Sequence, residues 1–569
     1  MTEEQTKTAA AAENETQRKP LIHTSDIVSV WKCPRLGWNH YNHKKGIKEP
    51  YANLTIPFSQ LASEKLRIQN LPSGKAWDTP ERTLELLKQK KGGQSLRFER
   101  GGIRTKIPYL LPVFDPSFSG LDNRAKKSKI RKIRPEDLEY DVIYPVLSGL
   151  PQENLLLMMA LDDWILSGMK IKIRSHRIVY VNKDYIRNGE LNPDELLIES
   201  THLLKKSGNP HEETIEEQLE DFREGIEDEI QRAMQILLCD TPPESSKIRA
   251  CLSPRKCTYY GSCFDESDLP DNSIAFLSSA GKRQLMNEQG IFALEETDPA
   301  LIEGFPLQYA QIMAARNNGR YLDVRAAESW IGELKYPLIY LDFEWDTFAF
   351  PPYDQMIPYD VLCFEFSMHV EQEDGTISHT GFFSEDDGRK AFIETLLENI
   401  PREGSVIVYN MEGAEKLRLM QLARQFPEYE AELTQICERM CDLSVLFEKG
   451  IFYDLRQRGH YSLKTMLDLF CEGPGYSKLP VKNGLEAIAA YRKLSASKDP
   501  IEKQALAKRI DEYCAMDTEA EIIILHALKK EIENQKNTEP SKKKKTSKRR
   551  RRRKRKPAAK PDETPTLEE

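Results

Sequence analysis

The sequence predicts an α/β protein of two units, joined by a helical connector and followed by a disordered basic tail. Three observations carry this. The chain has 569 residues, too many for one ordinary core, so two or three domains are expected. Between residues 336 and 530, short apolar runs of strand character alternate with stretches of helical period. The charge is also split. Lys+Arg 82 against Asp+Glu 90 gives −8 overall, yet residues 536–569 hold 15 Lys/Arg and 5 Asp/Glu, a net of +10. Removing +10 from −8 leaves −18 on residues 1–535. An acidic body does not by itself predict nucleic-acid binding; a basic tail does.

Residues 1–19 are polar and Ala/Glu/Thr-rich without an apolar core, so a disordered leader rather than a secretory signal is expected, with a cytoplasmic location. No stretch reaches the roughly 20 apolar residues of a membrane span; the most apolar, 155–166, carries Asp162 and Asp163. A first unit covers 20–265. Within it, 171–181 alternates as a strand and 212–238 reads as helix. Residues 266–335 read as the connector, punctuated by Gly290, Pro299, Gly304 and Pro306. The second unit covers 336–532. Strands are expected over 338–343, 361–370 and 376–383, the last two joined by the turn Glu373-Asp374-Gly375. A helix over 386–400, a buried strand over 404–409 and further helices to about 530 follow. Three strands in a meander, then a helix, a strand and more helices point to a ribonuclease-H-like sheet covered by helices.

The ten cysteines sit in a chain expected to be in a reducing compartment, where disulfides are rare. Most read as small core residues. The exception is Cys251-Leu-Ser-Pro-Arg-Lys-Cys257-Thr-Tyr-Tyr-Gly-Ser-Cys263, three thiols at equal spacing in a loop-like context. Soft-metal ligands fit this pattern, with Cys33 of Trp31-Lys-Cys33-Pro34-Arg35 as the fourth. The spacing suits an iron–sulfur cluster or zinc and does not separate them.

Asp342 and Glu344 lie two apart at the end of the first strand of the second unit, so both carboxylates share a face. Such a pair beside an apolar run is costly unless cations neutralise it. Further acids stand in Tyr409-Asn410-Met411-Glu412-Gly413-Ala414-Glu415-Lys416 and at Asp517. Tyr513, four residues before Asp517 on an expected helix, shares its face. Four acids converging from two strands and a helix can hold two Mg²⁺ or Mn²⁺ ions for phosphodiester hydrolysis, and Tyr513 can position the attacking water.

These residues resemble a known pattern. Leu341-Asp342-Phe343-Glu344, then Tyr409-Asn410 with Glu415, then Tyr513-Cys514-Ala515-Met516-Asp517-Thr518 are similar to the three motifs of DnaQ-type (DEDD) 3′–5′ exonucleases. The tyrosine four before the last acid points to the DEDDy subtype. Gly459-His460-Tyr461-Ser462-Leu463-Lys464 fits the segment ahead of the last motif. The family places its second acid four residues after the Asn, where this chain has Ala414; Glu415 is chosen because the Lys-Leu-Arg-Leu that follows fits the expected helix, with Glu412 the alternative. The resemblance implies Asp342, Glu344, Glu415 and Asp517 as ligands of two metals. The first unit resembles RecB-type PD-(D/E)xK nucleases that bracket their core between one early and three late cysteines, which implies a 4Fe–4S cluster at Cys33, Cys251, Cys257 and Cys263, with Zn²⁺ the alternative. Tyr185-Ile-Arg-Asn-Gly189 resembles a strand-end segment of that module. The nuclease motif itself is missing: Asp122-Asn123-Arg124 puts arginine where lysine is needed, and Thr105-Lys-Ile-Pro108 puts proline where an acid is expected. This module therefore reads as inactive and kept for binding. The whole chain resembles an uncharacterised bacterial family fusing the two modules.

In the tail, 13 of the 15 residues from Lys542 to Lys556 are cationic: Lys542, Lys543, Lys544, Lys545, Lys548, Arg549, Arg550, Arg551, Arg552, Arg553, Lys554, Arg555 and Lys556. Without apolar residues the run does not fold alone, and it is expected to attract nucleic-acid phosphates without sequence preference. The sequence thus predicts a metal-dependent 3′–5′ exonuclease on DNA or RNA. The alternative is a nucleic-acid-binding scaffold in which both modules are silent.

Overall fold

The structure is a computed structural model, and it describes residues 21–43, 52–54, 56–147, 154–244, 251, 257–302, 304–471 and 473–538. The leader 1–19 and the cationic run from Lys542 to Lys556 lie outside these residues. The architecture is mixed α/β, with two mixed sheets and a two-stranded ribbon.

The first sheet has six strands: β1 (Ile22–His23), β2 (Gly93–Arg100), β3 (Ile103–Pro112), β4 (Glu139–Val146), β5 (Lys172–Val181) and β6 (Leu197–Ser200). The spatial order is β1-β3-β4-β5-β6, with β2 lying antiparallel along β3. The β2–β3 connection is Gly101-Gly102 with φ of +60° and +79°, a two-residue turn whose left-handed backbone matches the strand twist and suits glycine. One sheet face is covered by α1 (Thr24–Lys32), α2 (Pro34–His43), the apolar α3 (Asn154–Gly168), α4 (Ile215–Glu224) and α5 (Ile226–Leu237). The helix expected over 212–238 is thus two helices meeting at Gly225.

Two acids that interrupt the apolar α3 belong to a buried polar network. Asp162 accepts from Thr105 at 2.5 Å and Tyr144 at 2.7 Å. His176 of β5 is fully buried between Glu216, 2.8 Å from Nδ1, and Asp163, 2.9 Å from Nε2; the Asp163 approach is a charge contact rather than an aligned hydrogen bond. Arg223 spans both acids. Burial pushes the imidazole down, but the two carboxylates more than reverse this and hold it at about 9.

The second sheet runs β10-β9-β8-β11-β12, from β8 (Leu338–Thr347), β9 (Val361–Glu371), β10 (Ile377–Phe383), β11 (Ser405–Val408) and β12 (Met440–Asp442). The first three form an antiparallel meander; β11 and β12 run parallel to β8. On one face pack α6 (Arg389–Asn399) and α7 (Glu415–Gln425). On the other pack α8 (Leu463–Phe470), α9 (Gly484–Ala496) and α10 (Pro500–Thr538). At 39 residues, α10 is about 58 Å long and continues past the boundary at 532 that the sequence implied. The connector is mainly helical but contributes β7 (Arg320–Leu322), which pairs antiparallel with β13 (Phe452–Asp454), an unforeseen strand that ties it to the second unit.

The units meet beside β8. Phe350 is fully buried in an apolar cluster with Leu61, Tyr109 and Val179 of the first unit. Arg187, within the Tyr185–Gly189 segment, donates to the carbonyls of Pro351 at 2.9 Å and Pro352 at 2.5 Å, and Gly189 N–H reaches Asp354 at 2.7 Å. Asn53 exchanges backbone hydrogen bonds with Thr347 and Ala349.

Because His176 has a folded value of about 9 against about 6.5 unfolded, its ion pairs stabilise fully below pH 6.5 and fade as pH rises through 9. Thermal melts of the wild type should lose stability between pH 7 and 10 relative to His176→Gln; parallel profiles would contradict the assignment.

Candidate active site

β8 carries Asp342 and Glu344 about its middle, where alternation turns both to one face. The register shift after Glu344 places its extra residue, Phe364, on β9, so the alternation of β8 continues and Asp346, two residues on, faces the same side. Asp346 is fully buried but satisfied, holding Arg492 through contacts of 2.7 and 2.9 Å. Among the described residues, Asp342 and Glu344 have no such partner cation. Asp517 comes to them from α10, and these three acids each offer an oxygen within 4.8 Å of the others. Asp342 keeps partial exposure while Glu344 and Asp517 are buried, so the group opens to solvent at Asp342.

Glu415 is the first residue of α7 and is buried. Its position is set by the turn after β11. Asp442 accepts from the backbone N–H of Asn410 and Met411, both at 3.0 Å, and Asn410 has φ of +70°. A Cβ at Gly413 would stand 2.6 Å from the Asn410 side-chain amide, so the turn is closely packed there. Glu415 lies near enough to raise Asp342, Glu344 and Glu521, but adds no oxygen to the 4.8 Å group. The four predicted acids are therefore three in close contact and one beside them. Glu412 is solvent-exposed and paired with Lys416 at 2.5 Å, so the alternative second acid points away.

Burial, before any neighbour, raises all four carboxyls. Asp517 reaches about 6, restrained by hydrogen bonds from Tyr476 and Tyr513 and by Lys464. Glu415 reaches about 8. Tyr513 is buried, and its phenol is pushed up by burial and by Asp517. One Glu415 oxygen is buried without a hydrogen-bond partner. An all-oxygen donor set with an orphaned carboxylate oxygen fits hard divalent cations.

The sequence reading missed several neighbours. Glu365 faces Glu344 across β8–β9; both its oxygens are buried without partners. An acid amid the apolar run Val361–Phe366 was the available signal. Glu521, one turn beyond Asp517, is likewise buried with an unpartnered oxygen. Tyr476 donates to Asp517. Lys464, the second residue of α8 and the last of the segment Gly459–Lys464, sits 5.0 Å from the Tyr476 ring centroid and 4.8 Å from that of Tyr513.

In the first unit, α2 lies against the late cysteines. Arg35 reaches the Ser262 carbonyl at 3.5 Å, the Asn39 amide approaches Cys263 Sγ at 3.9 Å, and His40 packs edge-on to Tyr259. None of the described cysteines is in a disulfide. Among the described residues no three of Cys33, Cys251, Cys257 and Cys263 bring their sulfurs within 4.8 Å of one another, whereas a tetrahedral thiolate zinc site needs about 3.8 Å. A four-iron cluster is larger and sets its thiolates farther apart. Asp122, the nearest acid to the missing PD-(D/E)xK motif, caps the helix Asn123–Lys132, and Thr105 donates to Asp162.

Residues 339–462 match a family model described as a domain of unknown function (DUF2779). The matched span holds Asp342, Glu344 and Glu415 and ends before Lys464, Tyr513 and Asp517. No curated protein and no solved structure matches the chain.

Carboxyls whose folded values are raised cost stability once ionised. The metal-free protein should lose melting temperature as pH rises from about 4, through the values near 6 and 8 of Asp517 and Glu415. Mg²⁺ or Mn²⁺ should raise it more at pH 8 than at pH 5, since ligands bind metal deprotonated. Asp342→Asn should raise the metal-free melting temperature at pH 8 by about 2 °C or more and abolish most of the metal effect. Scanning fluorimetry checks each; a metal effect independent of pH would refute the carboxylate assignment.

Proposed function

We propose that this chain is a metal-dependent 3′–5′ exonuclease acting on DNA or RNA. The observation that carries the reading is the meeting of Asp342, Glu344 and Asp517 within 4.8 Å, with Glu415 buried behind them and the Tyr513 hydroxyl on Asp517. The sheet order and the helices on both faces support a ribonuclease-H-like unit of DnaQ type, and the 3′–5′ direction comes from that resemblance.

Asp342, Glu344, Glu415 and Asp517 would hold two Mg²⁺ or Mn²⁺ ions, which when bound supply Lewis acidity and charge neutralisation at the scissile phosphodiester. Tyr513 is held by its hydrogen bond to Asp517, so its hydroxyl is oriented at the edge of the acid group, where it positions the attacking water. The half-buried Lys464 brings a cation to the same edge and offsets part of the negative charge. Arg418, stacked 4.6 Å over the Trp345 ring, fixes the α7 side. In the first unit Cys33, Cys251, Cys257 and Cys263 would hold a 4Fe–4S cluster that clamps the two ends of a nuclease-like module without activity of its own. The contacts of Arg35, Asn39 and His40 support this, since they bring the early and late segments together. The tail from Lys542 to Lys556 would add sequence-independent attraction to phosphates.

The decisive assay offers end-labelled single- and double-stranded DNA and RNA with Mg²⁺ or Mn²⁺. Stepwise loss from the 3′ end, abolished by Asp342→Ala and slowed about 10²-fold by Tyr513→Phe, is expected. Failure to degrade any substrate would leave the scaffold reading in its place. Protein purified without oxygen should be brown, with broad visible absorbance lost in Cys33→Ser; a colourless, zinc-loaded protein would overturn the cluster.

A further inference from the structure

The first unit contains a concentration of positive charge that the proposed chemistry does not use. Residues 124–134 hold seven Lys/Arg and no acid, in a body whose net charge is −18. Most of them lie on the helix Asn123–Lys132, which buries no side chain. An amphipathic helix hides an apolar face; this one has none to hide. Lys127 and Arg131, four apart, stand on one face, where like charges repel. None of the cations from Arg124 to Lys132 has an ion-pair partner among the described residues. The helix is nevertheless held at both ends. Asp122 accepts from the N–H of Arg124 and Ala125 at 2.8 Å, and Lys90 Nζ donates to the Ile130 and Arg131 carbonyls at 3.1 Å.

Beside this helix is a cleft of about 580 Å³ lined by Arg67, Lys90, Lys91, Lys127 and Arg131, and by no carboxylate. Its wall also holds the half-buried Phe114, a ring on which a base can stack. Ile68 lines the cleft and packs against the apolar cluster that contains Phe350, three residues beyond the end of β8. Through Ile68 the wall of the cleft rests on the same apolar cluster that receives Phe350 from the second unit.

We infer that this cleft binds the phosphate backbone of a nucleic-acid strand, giving the first unit a direct grip on the substrate. The inference rests on the nucleic-acid reading above and deepens it by locating the contact. An acidic body repels polyanions everywhere except at such a patch, which focuses the field there. Arg67 is shared with Asp194 at 2.6 Å, but Lys91, Lys127 and Arg131 have no ion-pair partner among the described residues; such cations suit phosphates, and a mixed cationic and aromatic lining suits a single strand.

The test uses the full-length protein in EDTA, so that cleavage plays no part, and a fluorescein-labelled single-stranded DNA 20-mer read by anisotropy. The variant Lys91→Glu/Lys127→Glu/Arg131→Glu changes exposed or cleft-lining side chains only, and an unchanged melting temperature verifies its fold; Lys91→Gln/Lys127→Gln/Arg131→Gln serves if it does not. Affinity should fall at least tenfold, and the slope of log affinity against log salt should become less steep by about 2, for three lost contacts at roughly 0.7 each. Replacing Arg549 to Arg553 by Gln should weaken binding separately, so that the two sets of changes multiply. Unchanged affinity and slope would overturn the inference. So would unchanged oligonucleotide binding with lost binding to phosphatidylserine vesicles, which would mark a lipid surface. A binding defect in a protein that cleaves nothing would retain the cleft and reject the exonuclease.

Discussion

The second unit is organised around the mutual repulsion of buried carboxylates. Asp342, Glu344 and Asp517, with Glu415, Glu365 and Glu521 around them, crowd a region that burial alone would keep neutral. Much of the neighbouring structure holds these acids in place. Asp442 pins the turn that starts α7. Thr518, next to Asp517, meets Ser367 at 2.9 Å and His369 at 2.8 Å on β9, which fixes the rotation of α10 against the sheet. Cys514 fits against Asp342 at 3.4 Å. Asp346 shows how the same fold treats an acid meant only for structure: it receives an arginine fork, and no orphaned oxygen remains.

Much of this was legible in the sequence because it depends on local periodicity. The two-residue spacing of Asp342 and Glu344, the four-residue spacing of Tyr513 and Asp517, and the meander with its Glu373-Asp374-Gly375 turn each follow from strand or helix geometry. The choice of Glu415 over Glu412 needed the start of α7, which Asp442 fixes from a strand 27 residues away in sequence. Glu365 was hidden for the same reason: its meaning arises from facing Glu344 across two strands, a register that sequence alone does not fix. The helix break at Gly225 and the pairing of β7 with β13 were missed because a glycine in a charged helical run and a three-residue strand carry weak local signals. The polar network of His176 joins residues from α3, β5 and α4, and no spacing rule connects them.

Charge is distributed with the same economy. The second unit gathers a group of buried acids at one site, while the first unit carries a run of cations without ion-pair partners among the described residues on the helix Asn123–Lys132. In the first unit, Asp141 takes Arg174 and Arg177 and Asp163 takes Arg223 and His176, while the buried Asp162 is met by the hydroxyls of Thr105 and Tyr144. A buried charge with a partner organises the core; a charge left without one marks a surface or pocket with something to bind.

Phe350 gives the architecture a further property. It belongs by sequence to the second unit and by packing to the first, and burying such a ring is worth about 1.5–3 kcal/mol. Severing the chain in the connector would strand that ring, along with the carbonyls of Pro351 and Pro352, in water. The two units therefore share part of one core, and melting of either removes the wall against which the other rests. The strand that carries Asp342 and Glu344 is thus anchored to the first unit by a hydrophobic contact that touches no member of the acid cluster.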